Sequence, residues 1–318
     1  MICRFHSWSV KRLAEVSSRS DHKATIVWLC ARWRMYVFRY LDREEAEMNS
    51  RFAFVAVALM LCVSRLGITQ AAEPIPVAHR GLLRHAPENT IPAFSACLEL
   101  GIGFELDIRT TKDGHLVVLH DDSVERTTNG PSRSIRDITL KESRKLDAGS
   151  WFSPAFAGVL IPTLEQTLQL VKDRKRGATI VALNVKQITP AGEAKLVSLV
   201  EKTGLWNESF AFDQDMTTSQ RLKKLNPRFR IGQNVNRQEL DARIKEDFLD
   251  VFLLQFVPTR EEVKRLHQRK KQVLFNYAGP GDTRREPVAW TKARDAGIDG
   301  MLTDYPLECR VLWRMERR

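Results

Sequence analysis

Two histidines, two carboxylates and an arginine fall close together in this chain on three apolar runs. His79 and Arg80 end the first (VAHRG), Glu105 and Asp107 lie two residues apart on the second (FELDI), and His120 ends the third (LVVLHD). Side chains alternate faces along a strand, so Glu105 and Asp107 project to one side. Imidazole titrates near neutrality and can take or give a proton in a reaction. Paired carboxylates suit a hard cation such as Ca²⁺ or Mg²⁺. A guanidinium fits phosphate oxygens. Together these groups could cleave a phosphodiester.

Such groups need a frame that brings several strand ends to one place. Short apolar runs alternate with amphipathic stretches along the chain, the pattern of a parallel α/β fold. The strand-like runs are Pro76–Ala78, Phe104–Ile108, Leu116–Leu119, Thr179–Val185, Ser209–Phe212, Arg230–Gln233, Val251–Leu254, Gln272–Phe275 and Met301–Thr303. Helical stretches include Ile91–Leu100, Thr163–Asp173, Pro190–Thr203, Thr217–Leu225, Arg260–Arg269 and Pro287–Ala296, the last followed by Gly297 as a stop. This is one run more than an eight-stranded barrel needs. Asp113-Gly114 between apolar runs signals a tight hairpin, so Leu116–Leu119 is positioned to pair with its predecessor, although the pattern alone leaves open which run is surplus. Residues 122–161 interrupt the alternation and exceed an ordinary barrel loop. Their aromatics Trp151, Phe152 and Phe156 fit two roles equally well: a wall against a substrate head group, or packing for the segment itself.

The chain has 318 residues and a net charge of +11. Residues 1–72 hold 11 Lys/Arg against 6 Asp/Glu, the remainder 39 against 33. A mild, dispersed excess favours anionic ligands or surfaces and lacks the clustered stripe of a nucleic-acid binder. Beyond residue 72 only Cys97 and Cys309 remain, too few for a disulfide framework. Both are expected as unpaired thiols, Cys97 in the core. Phe52–Val63 is an apolar run of 12 residues after Arg51, followed by the small residues Thr69, Ala71 and Ala72. A spanning helix needs about 20 apolar residues. Residues 48–72 therefore read as a secretory signal peptide, with export to the periplasm or medium, no stable membrane anchor, and a mature part at 73–318. Residues 1–47 carry no motif and read as a dispensable extension, with translation starting at Met48.

The ordered motifs resemble the glycerophosphodiester phosphodiesterase family. The resemblance rests on His-Arg-Gly (His79–Gly81), Pro-Glu-Asn-Thr (Pro87–Thr90), Glu-x-Asp (Glu105, Asp107) and His-Asp (His120, Asp121). RTTNG (Arg126–Gly130), LDAG (Leu146–Gly149), IPTLEQ (Ile161–Gln166) and TDYP (Thr303–Pro306) follow in family order. Each is weak alone, and together they span roughly Ile75 to Leu312. The resemblance implies a TIM (β/α)8 barrel of about 250 residues, with the segment at about 122–161 as a small insertion beside the mouth. It implies His79 and His120 as general acid and base, acting through a cyclic phosphate. Arg80 and Lys186 would hold phosphate oxygens, and Glu105 and Asp107 would bind Ca²⁺ or Mg²⁺. Glu88 and Asn89 are expected to buttress the loop around Arg80, and Asp121 to orient its neighbourhood. His115 is expected in solvent, and His85 in the loop after His79.

One departure stands out. The family has Glu-x-Lys on the strand bearing the phosphate lysine, and this chain reads ALNVKQ. Asn184 occupies the place of the third metal-binding carboxylate ahead of Lys186. Its carbonyl oxygen can still ligate a hard cation, with one negative charge fewer. The family's late Trp-Thr-x-Asn segment is replaced by LFNYAGPG. The leading expectation is metal-dependent hydrolysis of small glycerophosphodiesters to glycerol 3-phosphate and an alcohol. The alternatives are a lysophospholipase D-like lipid phosphodiesterase, and a phosphodiester-binding protein with weakened turnover.

Overall fold

Eight of the nine expected strand runs close into a parallel barrel, and the ninth hangs off its side. The computed structural model describes residues 73–214, 216–278 and 284–315. Expectations for residues 1–72 and for Gly279–Gly281 therefore fall outside the described residues. The strands are β1 Ile75–Ala78, β2 Gly103–Thr110, β3 Leu116–Val118, β4 Val181–Val185, β5 Ser209–Phe212, β6 Gly232–Val235, β7 Val251–Leu254, β8 Gln272–Tyr277 and β9 Gly300–Thr303. Their order around the barrel is β5-β4-β2-β1-β9-β8-β7-β6, all parallel. A single parallel bridge, Ala211 to Ile231, joins β5 to β6 and closes the ring. β3 pairs antiparallel with β2 across the Asp113-Gly114 turn, with Ile108 opposite Val118. It is the surplus run.

The helices are α1 Ile91–Glu99, α2 Leu140–Ser143, α3 Leu164–Arg174, α4 Pro190–Thr203, α5 Thr217–Leu225, α6 Leu240–Arg243, α7 Arg260–Gln268, α8 Pro287–Ala296 and α9 Pro306–Met315. Their boundaries follow local chemistry. Thr163 and Thr259 cap α3 and α7 in reciprocal capping boxes with Gln166 and Glu262. Proline opens α1, α4 and α8, where its missing N–H costs nothing. Gly297 ends α8 in the left-handed region at φ 95°.

Alternation along the strands sorts two apolar layers. Inside the ring, Val77, Ala182, Phe210, Val251, Leu253, Leu274 and Leu302 meet one another. Facing outward, Phe104, Leu106, Ile108, Leu183 and Phe275 pack with helix residues such as Phe94, Leu168 and Trp290. Cys97 and Cys309 are buried free thiols, as expected, and burial holds both well above the usual thiol range.

Residues 122–161 form a segment with two 3-10 turns and the short helix α2, and its Val124, Ile135, Ile138 and Ala148 cluster with Val117 of β3 and with Leu119. Two family motifs lock it. Asn129 of RTTNG donates its backbone N–H to the Asp147 carbonyl, and its side chain accepts from the Asp147 N–H. The Asp147 carboxylate in turn gathers Gly149 N, Ser150 N and Gly158 N. Trp151, Phe152 and Phe156 stack edge to face on one another, and Trp151 donates to the Ala148 carbonyl. These contacts favour packing over a head-group wall.

Only β6 is displaced from expectation, by two residues towards the C-terminus. Ile231 serves the bridge to β5, and the strand continues through Gln233 and Asn234. These amides interrupt the apolar pattern by which a strand is read.

Candidate active site

The carboxyl ends of the barrel strands carry polar groups wherever the inner apolar layer runs out. Two residues beyond inward Val77 stands His79. On β2 the inner face carries Glu105 and Asp107, and on β4 Asn184 follows Ala182. Asp107 and Asn184 are direct partners in the β2–β4 register. This is the end of the barrel where TIM folds build their sites.

Glu105 and Asp107 are essentially buried, at 1% and 0% exposure. Glu105 Oε2 accepts the Arg80 backbone N–H at 3.0 Å, and Asp107 Oδ2 accepts from Asn89 Nδ2 at 2.8 Å. Glu105 Oε1 and Asp107 Oδ1 have no hydrogen-bond partner, although Lys186 Nζ lies 3.4 Å from the latter. Burial, reinforced by the charge of Asp107, pushes Glu105 up to about 7. Asp107 is also buried, but Lys186, His120 and Arg80 outweigh that and hold it below the usual carboxylate range.

The loop from β1 to α1 is shaped around this pair. Arg80 sits in the left-handed region at φ 53°, a conformation that costs a non-glycine residue roughly 1–2 kcal/mol. Its N–H bond to Glu105 and the bond from Asn89 N to its carbonyl, at 2.9 Å, hold it there. Gly81 follows at φ 79°, where a Cβ would come within 2.8 Å of Ala93 Cβ. Pro-Glu-Asn-Thr completes the turn. Asn89 brackets Asp107 through its side-chain amide and through the Asp107 N–H, and the Thr90 hydroxyl donates to the Pro87 carbonyl at 2.6 Å. Glu88 accepts from Arg80 at 3.0 Å and from Arg126 at 2.8 and 3.0 Å.

Each histidine has its own carboxylate. His79 Nδ1 lies 2.7 Å from Asp304 Oδ1, and His120 Nδ1 lies 2.6 Å from Asp121 Oδ1. Burial works against charge on both rings. At His79 the Asp304 hydrogen bond and the charge of Glu105 prevail, and the pKa rises. At His120 burial, helped by Arg80 and Lys186, outweighs Asp107 and Asp121, and the pKa falls. Arg109 fixes the second loop by donating twice to the His120 carbonyl, at 2.9 and 2.7 Å.

Arg80, Glu105, Asp107, His120 and Lys186 thus fall in one electrostatic neighbourhood, with His79 against Glu105. Asn184 joins it through the register with Asp107. His115 is half-buried at the hairpin turn, and His85 is exposed in the loop after His79. Two further side chains emerge here. Asp304, from TDYP, reaches His79 because β1 pairs with β9; its place just past a strand end was the available signal. Arg126, from RTTNG, bridges Glu88 to Asp121, with Nε 2.5 Å from Asp121 Oδ2. Asp121, expected to orient its neighbourhood, pairs with the ring of His120.

Barrel and site together define a phosphodiester hydrolase on a TIM-barrel scaffold. Residues 79–308 match the Glycerophosphoryl diester phosphodiesterase family, and the chain belongs to that family. A Glycerophosphodiester phosphodiesterase of Caldanaerobacter subterraneus subsp. tengcongensis is 34% identical over 236 residues, covering 72% of this chain and 93% of that protein. One from Bacillus subtilis is 29% identical over 249 residues, covering 73% and 84%. Among solved structures, a glycerophosphodiester phosphodiesterase from Agrobacterium tumefaciens superposes with a TM-score of 0.59 at 25% identity, covering 73% of this chain and 97% of its own. An Oleispira antarctica phosphodiesterase, in complex with the product sn-glycerol-3-phosphate, shares the fold with a TM-score of 0.62 at 23% identity, covering 76% and 97%. Family membership makes the chain an enzyme acting on a small-molecule phosphodiester. Among the described residues no helix is long and apolar enough to cross a membrane.

Proposed function

We propose that this enzyme hydrolyses glycerophosphodiesters to glycerol 3-phosphate and an alcohol, with His79 and His120 as the acid/base pair and a divalent cation, Ca²⁺ or Mg²⁺, at Glu105, Asp107 and Asn184. The observation that carries this reading is the pair of buried carboxylate oxygens, Glu105 Oε1 and Asp107 Oδ1, that no hydrogen bond satisfies. Unsatisfied buried polar atoms in a native fold call for a missing partner, and oxygen pairs of this kind fit a hard cation. No group of three His, Cys, Asp or Glu able to hold a metal occurs among the described residues, so the third ligand in this reading is the neutral Asn184. When bound, the cation polarises the phosphoryl group and eases loss of the attacking hydroxyl's proton.

The protein's own groups divide the remaining work. Titratable pairs whose surroundings push them apart identify acid and base. His120, shifted down, is neutral near pH 7. Its Nδ1 is engaged by Asp121, which leaves Nε2 to take the proton from the glycerol hydroxyl beside the phosphodiester. That oxygen attacks phosphorus and the ring closes. His79, shifted up and held by Asp304, keeps a proton on Nε2 for the departing alcohol. Water then opens the cyclic phosphate, with the two rings exchanging roles. Arg80 and Lys186 offset charge on the non-bridging oxygens.

The test is release of glycerol 3-phosphate from glycerophosphodiesters with Ca²⁺, with Mg²⁺ and with EDTA. Release that EDTA abolishes is expected, and release undiminished in EDTA sinks the metal assignment. Asn184→Glu, by restoring a third negative charge, should lower the cation concentration needed for activity. An unchanged requirement removes Asn184 from the ligand set. Export is inferred from the pattern of residues 48–72 alone. A native N-terminus near Glu73 supports it, and peptides from residues 1–47 in the native material defeat the start at Met48.

A further inference from the structure

Beside Lys186 the barrel wall opens. β5 and β6 share one bridge, at Ala211 and Ile231, where β4 and β5 share four register pairs. At the carboxyl end of this seam lies a cavity of about 470 Å³. Half of its lining residues are amides: Asn184, Gln214, Gln233, Asn234, Asn236 and Gln255. One atom there is conspicuous. Gln233 is 7% exposed, yet its Oε1 is buried without a hydrogen-bond partner.

The charged groups of this wall are already engaged with the chain. Asp213 accepts from Thr218 N at 2.9 Å and Ser219 N at 3.2 Å, and from the Ser219 hydroxyl. Glu239 accepts the Asn236 N–H at 3.2 Å and faces Arg243 at 3.8 Å. Arg243 donates to Glu246 at 2.9 Å. Phe212 is the single aromatic among the described lining residues. Lys186, at the edge of the cavity towards the phosphate site, lies 3.4 Å from Asp107. Asn234 already accepts from Asn276, and Asn236 donates to Glu239. What the cavity offers a guest is therefore chiefly the neutral amides of Gln214, Gln233 and Gln255, each with donors and an acceptor.

That chemistry selects an alcohol. Amides supply both N–H donors and carbonyl acceptors, and each hydroxyl of a polyol can donate and accept in return. A quaternary ammonium has no N–H to give and is recognised by aromatic cages. A primary ammonium carries three donors and no acceptor, so it would leave the amide N–H groups unmatched. We infer that this cavity is the leaving-group subsite, and that the preferred substrates are glycerophosphodiesters whose alcohol is a neutral polyol, such as glycerol or inositol. The inference rests on the proposed function and adds the identity of the alcohol.

The experiment compares kcat/KM of the full chain on glycerophosphoglycerol and glycerophosphoinositol with that on glycerophosphocholine and glycerophosphoethanolamine. Sites built to hydrogen-bond a substrate hydroxyl discriminate strongly against analogues lacking it, so at least about a tenfold preference for the polyol diesters is expected. Gln233→Leu and Gln255→Leu should each cut that ratio at least threefold by slowing polyol diesters; Gln255 is exposed, so its variant guards against a folding defect at Gln233. Preference below tenfold, or a ratio unchanged in both variants, overturns the inference while leaving the hydrolase reading intact. No cleavage of any of the four would defeat the proposed function itself.

Discussion

Asp304→Asn is the sharpest perturbation of the acid/base assignment, because it removes one charge and little else. The asparagine carbonyl oxygen can still accept from His79 Nδ1, so the ring keeps its orientation. What is lost is a charge-assisted bond of 2.7 Å between two largely buried side chains, 17% and 13% exposed. Hydrogen bonds to charged groups contribute about 1.5–3 kcal/mol, and one pKa unit corresponds to about 1.4 kcal/mol. His79 should therefore titrate about one to two units lower in the variant. The pKa of His79 is raised in the folded protein, so the protonated ring stabilises the fold below its ordinary value near 6.5. That stability is lost as pH rises through the folded value. The variant should accordingly be less stable at pH 5–6 and nearly unchanged at pH 9. In a kcat profile the limb at which activity falls with rising pH should move down by the same one to two units. At neutral pH the rate should fall by at most about 10- to 100-fold, since each unit lowers the protonated fraction no more than tenfold. NMR titration of the His79 ring gives the pKa directly. An unmoved alkaline limb with full activity would show that protonated His79 does not act as the acid.

Arg126 ties Glu88, and through it Arg80, to the Asp121 that orients His120. Arg126→Ala should reduce kcat about tenfold or more, with partial recovery in Arg126→Lys, while thermal stability falls by only about 1 kcal/mol because the side chain is 45% exposed. Equal kcat in wild type and Arg126→Ala would reduce this network to surface pairing. The metal-free enzyme should lose stability as pH rises from 5 through about 7, because Glu105, pushed up to about 7 by burial, must ionise beside Asp107. Added Ca²⁺ should restore the thermal midpoint more at pH 8 than at pH 5, and Glu105→Gln should flatten the pH dependence. A midpoint indifferent to Ca²⁺ at pH 8 contradicts the cation site.

Much of the site could be read from local pattern because strand chemistry is local. Glu105 and Asp107, two apart in an apolar run, needed only the alternation of a strand to share a face. Glu88 and Asn89 were expected to brace the Arg80 loop, and their bonds to Arg80 and Asp107 do so. Asp304 was hidden for a topological reason: it meets His79 across 225 residues of sequence, through the pairing of the first and last barrel strands. Arg126 was hidden because a partly exposed arginine in a polar loop has no pattern that names its partners. The surplus strand stayed undecided until pairing was visible, since a short buried run reads alike in a barrel and in a side hairpin. β6 is expected two residues early because Gln233 and Asn234, one on each face of the strand, break the apolar pattern just where the barrel wall opens at the seam cavity.

The central claim is that two histidines of opposite pKa shift perform the cleavage, and single-turnover hydrolysis by His79→Ala and His120→Ala tests it most directly. Both variants should keep the circular dichroism spectrum and Ca²⁺ affinity of the wild type. Each should lose at least about 10²-fold in rate, the usual contribution of a positioned acid or base. On an aryl diester, whose leaving group needs no proton, His79→Ala alone should recover. A folded His120→Ala enzyme with wild-type turnover, or a His79→Ala enzyme equally impaired on both classes of ester, would contradict the account.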